Sequence, residues 1–381
     1  MKNKSKVLIF ALGGNEISPI ETDRDTGKII NQDLPAQWKR TSKTCEIIAD
    51  FIKNNKNYYY IITHGNGPQI GNILLRSEYS SEHLFKLPLD VCGADSQGAL
   101  GYMIAQLSNS LQIRGLDINT AEIITQVVVD PDDSAFKNPT KFIGPPLTKE
   151  YAESLMRESP HYIAKFYKML DQSEISNSNS NAGKTKEIWR RVVPSPKPID
   201  IIEIEIIEAC FLSGNIPITV GGGGIPVIKV SPQENNGFET YTCNYDISYT
   251  RSISGIESPA SIYKGIEGVI DKDLSSSLLS KMIIERSITR ENPIEVELVI
   301  LTEIDSVKIN YQKPNEESIS VLTLDEVTSL FKANEFPDGS MGPKILSMMN
   351  FLNAGGKKAY ITNVELLEET FSGKAGTTFI N

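Results

Sequence analysis

Short apolar runs alternate with amphipathic stretches along most of the chain, and no other feature of its 381 residues limits the fold as much. KVLIFAL (Lys6–Leu12) is continuously apolar, as in a strand covered on both faces. TSKTCEIIADFIKNN then sets Ile47, Ile48, Phe51 and Ile52 at helical spacing, with Thr41 or Ser42 as a cap. The exchange repeats with the strand YYYIIT (Tyr58–Thr63) and a helix entered at Pro68. DVCGADSQGALGYMIAQLSNSLQIRG reads as one long helix stopped by Gly115, and AEIITQVVV as a strand. DIIEIEIIEACFLSGN opens on an Asp200/Glu203 capping pair and stops at Gly214. IPITV, VELVILT, KAYIT and GTTFI read as strands. LSSSLLSKMIIER, TLDEVTSLFKAN (a T-x-x-E box at Thr323 and Glu326) and GPKILSMMNFLNAGG read as helices. Such alternation predicts βαβ units and an α/β fold. Its sheet is mainly parallel, helices cover both faces, and ligands bind at the carboxyl ends of the strands.

Two stretches break the rhythm. Residues 131–198 are rich in Pro, Asn and Ser and include the polar tract SNSNSNAGK. In 231–264, Tyr241, Cys243, Tyr245, Ile247 and Tyr249 alternate with Thr242, Asn244, Asp246 and Ser248. That period-two pattern predicts a strand roughly 30 Å long with one buried face, a hairpin arm added to the main sheet. There is no internal repeat. The net charge of −10 argues against a nucleic-acid surface. It leaves an anionic small substrate open, because charges more than about 8 Å apart are largely screened and local lysines decide what a pocket binds. Four scattered cysteines without a CxxC pattern point to free thiols in a reducing compartment. With three histidines as well, no dedicated metal site is expected. The apolar runs are far shorter than the ~20 residues of a membrane helix. MKNKSK leads straight into the first strand without a cleavage pattern, so the expected location is the cytoplasm.

Glycines cluster after strands: Gly13-Gly14-Asn15 after the first, THGNGPQIG (with Gly65, Asn66 and Gly67) after the second, and Gly221–Gly224 after IPITV. Backbone N–H groups with no Cβ nearby can approach phosphate oxygens closely, and a helix N-terminus adds partial positive charge. Such turns also simply reverse a chain, but three of them at strand ends converge on one sheet edge and point to a phosphate. GNGPQIG lacks the dinucleotide spacing. Gly183-Lys184-Thr185 resembles the tail of a Walker A loop but has Ser178 in place of its first glycine. In VIDKD, Lys272 stands between Asp271 and Asp273 at a strand-to-helix junction, suited to lie over a transferring phosphate. Asp273 then holds the lysine or serves as a plain N-cap. Lys344 falls in a first helical turn, where a cation opposes the dipole and calls for an anionic partner. Lys141 sits in a proline-braced loop, as do Arg190 and Arg191, whose forks suit phosphate or carboxylate. His64 reads as structural, because phosphoryl transfer to an ionised oxygen needs no base. Cys92 reads as packing.

Taken together, these blocks resemble the carbamate kinases. ALGGN, THGNGPQIGN, LDVCGADSQGALGYM, TQVVVDPDDSAFKNPTKFIGP, WRRVVPSPKPIDIIE, GGGGIPV, GVIDKDLSSSLL, LTEIDSVKINYQKPN, GSMGPK and GKAGTTF occur in that family's order, over all but two inserted stretches. The resemblance implies one amino-acid kinase domain over 1–381, an open three-layer αβα sandwich. It implies a protruding subdomain near 131–198 and a homodimer. It also implies reversible phosphoryl transfer between Mg-ADP/ATP and carbamate/carbamoyl phosphate, usually run toward ATP in arginine catabolism. Residue by residue, Gly13, Gly14, Asn15, Gly65, Asn66 and Gly67 would hold the phosphate. Lys272 and Lys344 would neutralise transition-state charge, Asp273 would orient lysine, and Lys141 would close over substrate. Arg190 and Arg191 fall to the substrate side. Gly222, Gly223, Tyr311, Lys313 and Met341 fall to the nucleotide. The chain departs from the family in Glu16-Ile17, where Ala-Leu is common, which adds negative charge near the phosphate site. KTKEI precedes WRRVVPSP in place of a glycine-rich lead, the arm at 231–264 is long, and ITNVE replaces a Ser-containing version. Two other readings stand beside an active enzyme: a nucleotide-binding paralogue with attenuated turnover, and another amino-acid kinase with a carboxylate substrate.

Overall fold

A computed structural model describes residues 4–17, 21–22, 29–30, 34–159, 162–171, 185–230, 262–288, 290, 293–336 and 341–381. The period-two strand expected at 241–249 and the tract SNSNSNAG lie outside the described residues.

An eight-stranded sheet forms the centre. Its spatial order is Val321–Thr323, Thr377–Ile380, Lys358–Thr362, Glu295–Leu301, Lys6–Leu12, Tyr58–His64, Ile216–Ile218 and Thr120–Glu122. All neighbours are parallel except Lys358–Thr362 and Thr377–Ile380. The first strand therefore lies mid-sheet, Val7 opposite Val296 on one side and Tyr59 on the other. Its continuous apolarity is explained by two cores. Val7, Ile9 and Ala11 enter one hydrophobic cluster; Leu8, Phe10 and Leu12 enter the other. Helices Lys272–Ser287 and Met341–Asn353 cover the first face, and Leu34–Asn54 covers the second. This is the expected αβα sandwich.

Two smaller sheets flank it. Residues 198–201, 126–129, 225–230 and 262–265 form a four-stranded sheet. The segment read as one strand, AEIITQVVV, is thus two: Thr120–Glu122 ends the main sheet and Gln126–Val129 joins the second. Thr125 turns the chain between them, its buried hydroxyl meeting Thr219 Oγ1 at 2.7 Å. The long helix after Pro88 is also two, Leu89–Ala105 and Leu107–Ile113, joined at Gln106 and closed by Gly115 at φ 76°. The Asp200/Glu203 pair caps nothing. Asp200 lies in a strand, and Glu203 accepts from the backbone and side-chain amides of Gln126 at 2.8 and 2.9 Å. The Thr323/Glu326 capping box is present.

Within 131–198, strands Lys141–Thr148, Thr185–Val193 and Ala164–Asp171 form a separate antiparallel sheet carrying helix Lys149–Glu158. It leans on helix Gly67–Tyr79 at one close point, where a Cβ on Gly71 would overlap the backbone of Gly144. Gly71→Ala must push the two apart, and we expect a loss of about 1–3 kcal/mol in chemical unfolding. A variant as stable as the parent would show the approach to be loose.

Candidate active site

The carboxyl ends of the central strands bring the glycine turns together. Gly13 N–H donates to Leu301 O at 2.8 Å and Gly65 N–H to Leu12 O at 2.9 Å, so both extend the sheet ladder. A Cβ on Gly13 would stand 2.8 Å from Leu301 O, and one on Gly65 3.4 Å from Gly14 N. Those glycines let the strands end in contact, and their own amides are already engaged. The amides of Gly14, next after Gly13, and of Gly67, two positions past Gly65, make no hydrogen bond within the protein among the described residues. Gly67 also opens a helix of 13 residues, whose N-terminal dipole favours an anion. Asn15 follows in the first turn. Asn66 is buried, donating from Nδ2 to Ser96 Oγ at 2.7 Å.

Over this edge stands a compact ionic cluster. Lys272, 7 % exposed, donates to Ala11 O at 3.0 Å and pairs with Asp273 Oδ1 at 2.7 Å. Lys344 reaches Asp273 Oδ2, also at 2.7 Å. One buried carboxylate thus spaces two ammonium groups carried by two helix starts. Burial pulls the Lys272 pKa down despite Asp273 beside it. For Lys344, burial acts the same way, but Asp273 outweighs it and the pKa is raised. Burial would raise the Asp273 carboxyl, yet the two lysines hold it well below the usual carboxylate range. The helix cap is Asp271, not Asp273: its Oδ1 accepts from the amides of Asp273 and Leu274 at 2.9 and 3.3 Å. Its other oxygen accepts from Lys141 Nζ at 2.7 Å and fastens the protruding sheet to the cluster. The sequence alone assigned Asp271 no role; its place in VIDKD was the signal.

Other candidates fall elsewhere. Arg190 donates to Gly144 O at 3.1 and 2.7 Å and stacks over the Tyr167 ring. Arg191 pairs with Glu78 at 2.7 Å and lies over the Tyr162 ring. Both guanidinium forks brace the protruding sheet, leaving neither positioned as a free phosphate ligand. Gly222 and Gly223 are buried, with Asn66 and the Ile270 carbonyl where Cβ atoms would stand. Val220 enters this turn at φ 53°, which costs a β-branched residue about 1–3 kcal/mol and shows how firmly the loop is fixed. These glycines permit close packing under the Asn66 turn. A cavity of about 340 Å³ opens beside the cluster's second helix, lined by Glu303, Ile304, Asp305, Ser306, Lys308, Tyr311, Phe336 and Met341. Tyr311 and Met341 line this cavity, whereas Lys313 sits beyond the lining in a turn closed on Asn310 O.

Glu16, expected to add negative charge beside the phosphate, is wholly buried and paired with Arg40 at 2.5 Å. His64 is also wholly buried. Burial, and to a lesser degree Lys272, push its pKa down to about 4, although its Nδ1 lies 3.2 Å from Gly65 O. The folded state therefore resists protonation that the unfolded chain accepts near 6.5, so stability must fall as pH drops from about 6.5 to 4. The gap of about 2.5 pH units, at about 1.36 kcal/mol each, amounts to about 3 kcal/mol. Denaturant unfolding across that range should show the loss, and His64→Gln should flatten it. An equal slope in both proteins would refute the assignment.

Unengaged amides at parallel-strand ends, buried ammonium groups above them and an adjacent cavity with an aromatic wall define a phosphoryl-transferring enzyme of the α/β class. The chain is 34 % identical to the carbamate kinase of Thermococcus kodakarensis over 379 aligned residues, covering 98 % of this chain and 99 % of that one. It is 35 % identical to carbamate kinase 3 of Staphylococcus aureus over 378 residues, with 98 % and 99 % covered. The solved carbamate kinase of Giardia lamblia bound to AMP-PNP matches with TM-score 0.73 at 31 % identity, with 99 % of each chain covered. No protein-family model matches the chain. The chain belongs to the carbamate kinase family.

Proposed function

We propose that this protein is a carbamate kinase, transferring a phosphoryl group reversibly between carbamoyl phosphate and ADP to give carbamate and ATP. The observation that carries the reading is the Lys272–Asp273–Lys344 cluster above the ends of the central strands. The phosphoryl group in flight spreads charge over its equatorial oxygens, so fixed cations and N–H donors are the main catalytic need. In this reading the amides of Gly14 and Gly67 receive the phosphoryl oxygens, and Lys272 and Lys344 approach from the helix side. Asp273 keeps the two ammonium groups apart and aimed. Lys141, at the root of the protruding sheet, closes the site from above, with residues 131–198 acting as its lid. No side chain needs to remove a proton, since the accepting oxygen is already ionised; the buried, neutral His64 agrees.

The cavity beside Tyr311 and Met341 suits a nucleotide base, and the Giardia lamblia relative binds AMP-PNP. Among the described residues, no cluster of three His, Cys, Asp or Glu side chains is arranged to hold a metal. In this reading Mg²⁺ arrives on the nucleotide's phosphates, where it neutralises charge. The inward pairing of Glu16 removes the charge that motivated an attenuated paralogue. We also infer a homodimer. Among the described residues, strand Thr120–Glu122 leaves one edge of the main sheet unpaired, and Tyr102, Ile124 and Ile206 nearby in the chain's elements and turns are exposed. Free Cys45, Cys92 and Cys210 suit the cytoplasm, and no described helix is long and apolar enough to cross a membrane. Operation toward ATP in arginine catabolism is the direction we assign.

The test is coupled ATP formation from ADP with carbamoyl phosphate, acetyl phosphate or acetylglutamyl phosphate. Turnover with carbamoyl phosphate alone is expected. Turnover only with another donor would move the protein to a different amino-acid kinase, and nucleotide binding without turnover would make it a regulatory paralogue.

A further inference from the structure

Glu16 lies two positions past Gly14, in the short helical turn Gly14–Ile17, and none of it reaches solvent. The turn is fastened through it to helix Leu34–Asn54. Glu16 N–H donates to Gly13 O at 3.1 Å, and its C=O accepts from Thr44 Oγ1 at 2.7 Å. Its Oε2 accepts from Arg40 Nη2 at 2.5 Å, and Thr41 Oγ1 reaches the next carbonyl, that of Ile17, at 3.4 Å. Arg40 extends the chain of contacts to Glu365, 3.5 Å from its Nη1, and Glu365 is shared with Lys43. Glu365 follows strand Lys358–Thr362, so one guanidinium ties together the turn, a covering helix and a second strand end.

This arrangement is costly if it serves only stability. Glu16 Oε1 and Arg40 Nε are buried without a hydrogen-bond partner. Replacing a buried pair by apolar side chains of similar volume is often neutral or stabilising. The carboxylates of Glu303 and Glu365 add further negative charge near Glu16. What the pair does supply is direction. A carboxylate free to swing toward Gly14 would repel a phosphate; held on Arg40, it pulls the turn the other way and leaves the Gly14 amide facing out. Misplacing such a donor by about 1 Å can cost about 10²-fold in rate.

We propose that the Glu16–Arg40 ion pair is a positioning device for the phosphate-binding turn, setting the orientation of the Gly14 amide from beneath. The inference rests on the reading that this amide receives the phosphoryl group. Glu16→Gln keeps the side-chain volume and removes the charge. In the ATP-forming assay it should lower kcat about tenfold and raise the KM for carbamoyl phosphate, with the KM for ADP within about twofold of the parent. Arg40→Lys should retain more activity than Arg40→Gln. The double variant Glu16→Leu/Arg40→Leu, which removes both charges together, should unfold at or above the parent's midpoint and remain slow. Full activity in that double variant, or parental kcat and KM in Glu16→Gln, would overturn the proposal and leave the pair a packing feature. Lys272→Ala, run beside them, separates the two readings. If it remains active, the phosphate site itself is wrongly placed. If it is inactive while Glu16→Gln is normal, only the positioning role falls.

Discussion

Lys272→Ala lowers turnover by about 10²–10³-fold while the protein stays folded. Its ammonium group is held between Ala11 O and Asp273 at the end of the central strand, where the proposed mechanism puts the developing charge of the phosphoryl oxygens. Removing one such preorganised donor forfeits stabilisation that water cannot replace quickly. Folding survives because Asp273 keeps Lys344 as a partner at 2.7 Å. Steady-state ATP formation gives the rate, and the thermal unfolding midpoint serves as the control. Near-parental turnover in a folded variant removes Lys272 from the mechanism.

Asp273→Asn attacks the same cluster from its centre. Two ammonium groups share this carboxylate, and neutralising it leaves the buried Lys272 and the half-buried Lys344 without their nearest counter-charge. Breaking a buried pair on one side costs about 3–5 kcal/mol, and we expect that loss in denaturant unfolding at neutral pH. Turnover should fall with it, because the lysines then repel each other and separate. The pH dependence has a definite sign. Burial opposes the Asp273 charge, but the lysines hold its folded pKa below the unfolded value. The stabilisation is therefore complete above about pH 4 and is lost as pH falls further. The parent should weaken below pH 4, and Asp273→Asn should weaken less over the same range. A variant as stable as the parent at pH 7 would mean that the lysines find other partners.

The sandwich was readable because its signals are local. KVLIFAL past Lys6 and VELVILT apart from Glu297 are almost continuously apolar because helices cover both faces, and Gly115 and Gly214 stop helices at φ 76° and 93°. The elements misread were those decided by distant contacts. AEIITQVVV splits because Thr125 finds Thr219, and Glu203 leaves the helix cap for Gln126, 77 residues away. The same holds at the site. Lysines at helix starts were legible, since a cation there opposes the dipole unless something nearby is negative. Whether Asp273 caps the helix or holds a lysine stayed open because capping and ion pairing use the same side chain; geometry gives the cap to Asp271 and the lysines to Asp273. The arginines of WRRVV looked like anion ligands, but Glu78 and Gly144 O, which occupy them, come from other segments. Gly222 and Gly223 looked like a phosphate cradle for the same reason: sequence shows a missing Cβ but not what fills its place.

The amides of Gly13 and Gly65 prolong the ladder of the middle strands, and Lys272 is tied to the carbonyl of Ala11 beside them. The proposed phosphate site is therefore built on strands buried on both faces, the kind of unit expected to open only with global unfolding. The protruding sheet is attached instead through Ile143 and Val193, which pack on Ile70 and Leu74, through the close approach of Gly144 to Gly71, and through ion pairs to Asp271 and Glu78. We expect inactivation by heat to coincide with collapse of the whole domain rather than to precede it, so that activity and tertiary structure are lost at the same temperature.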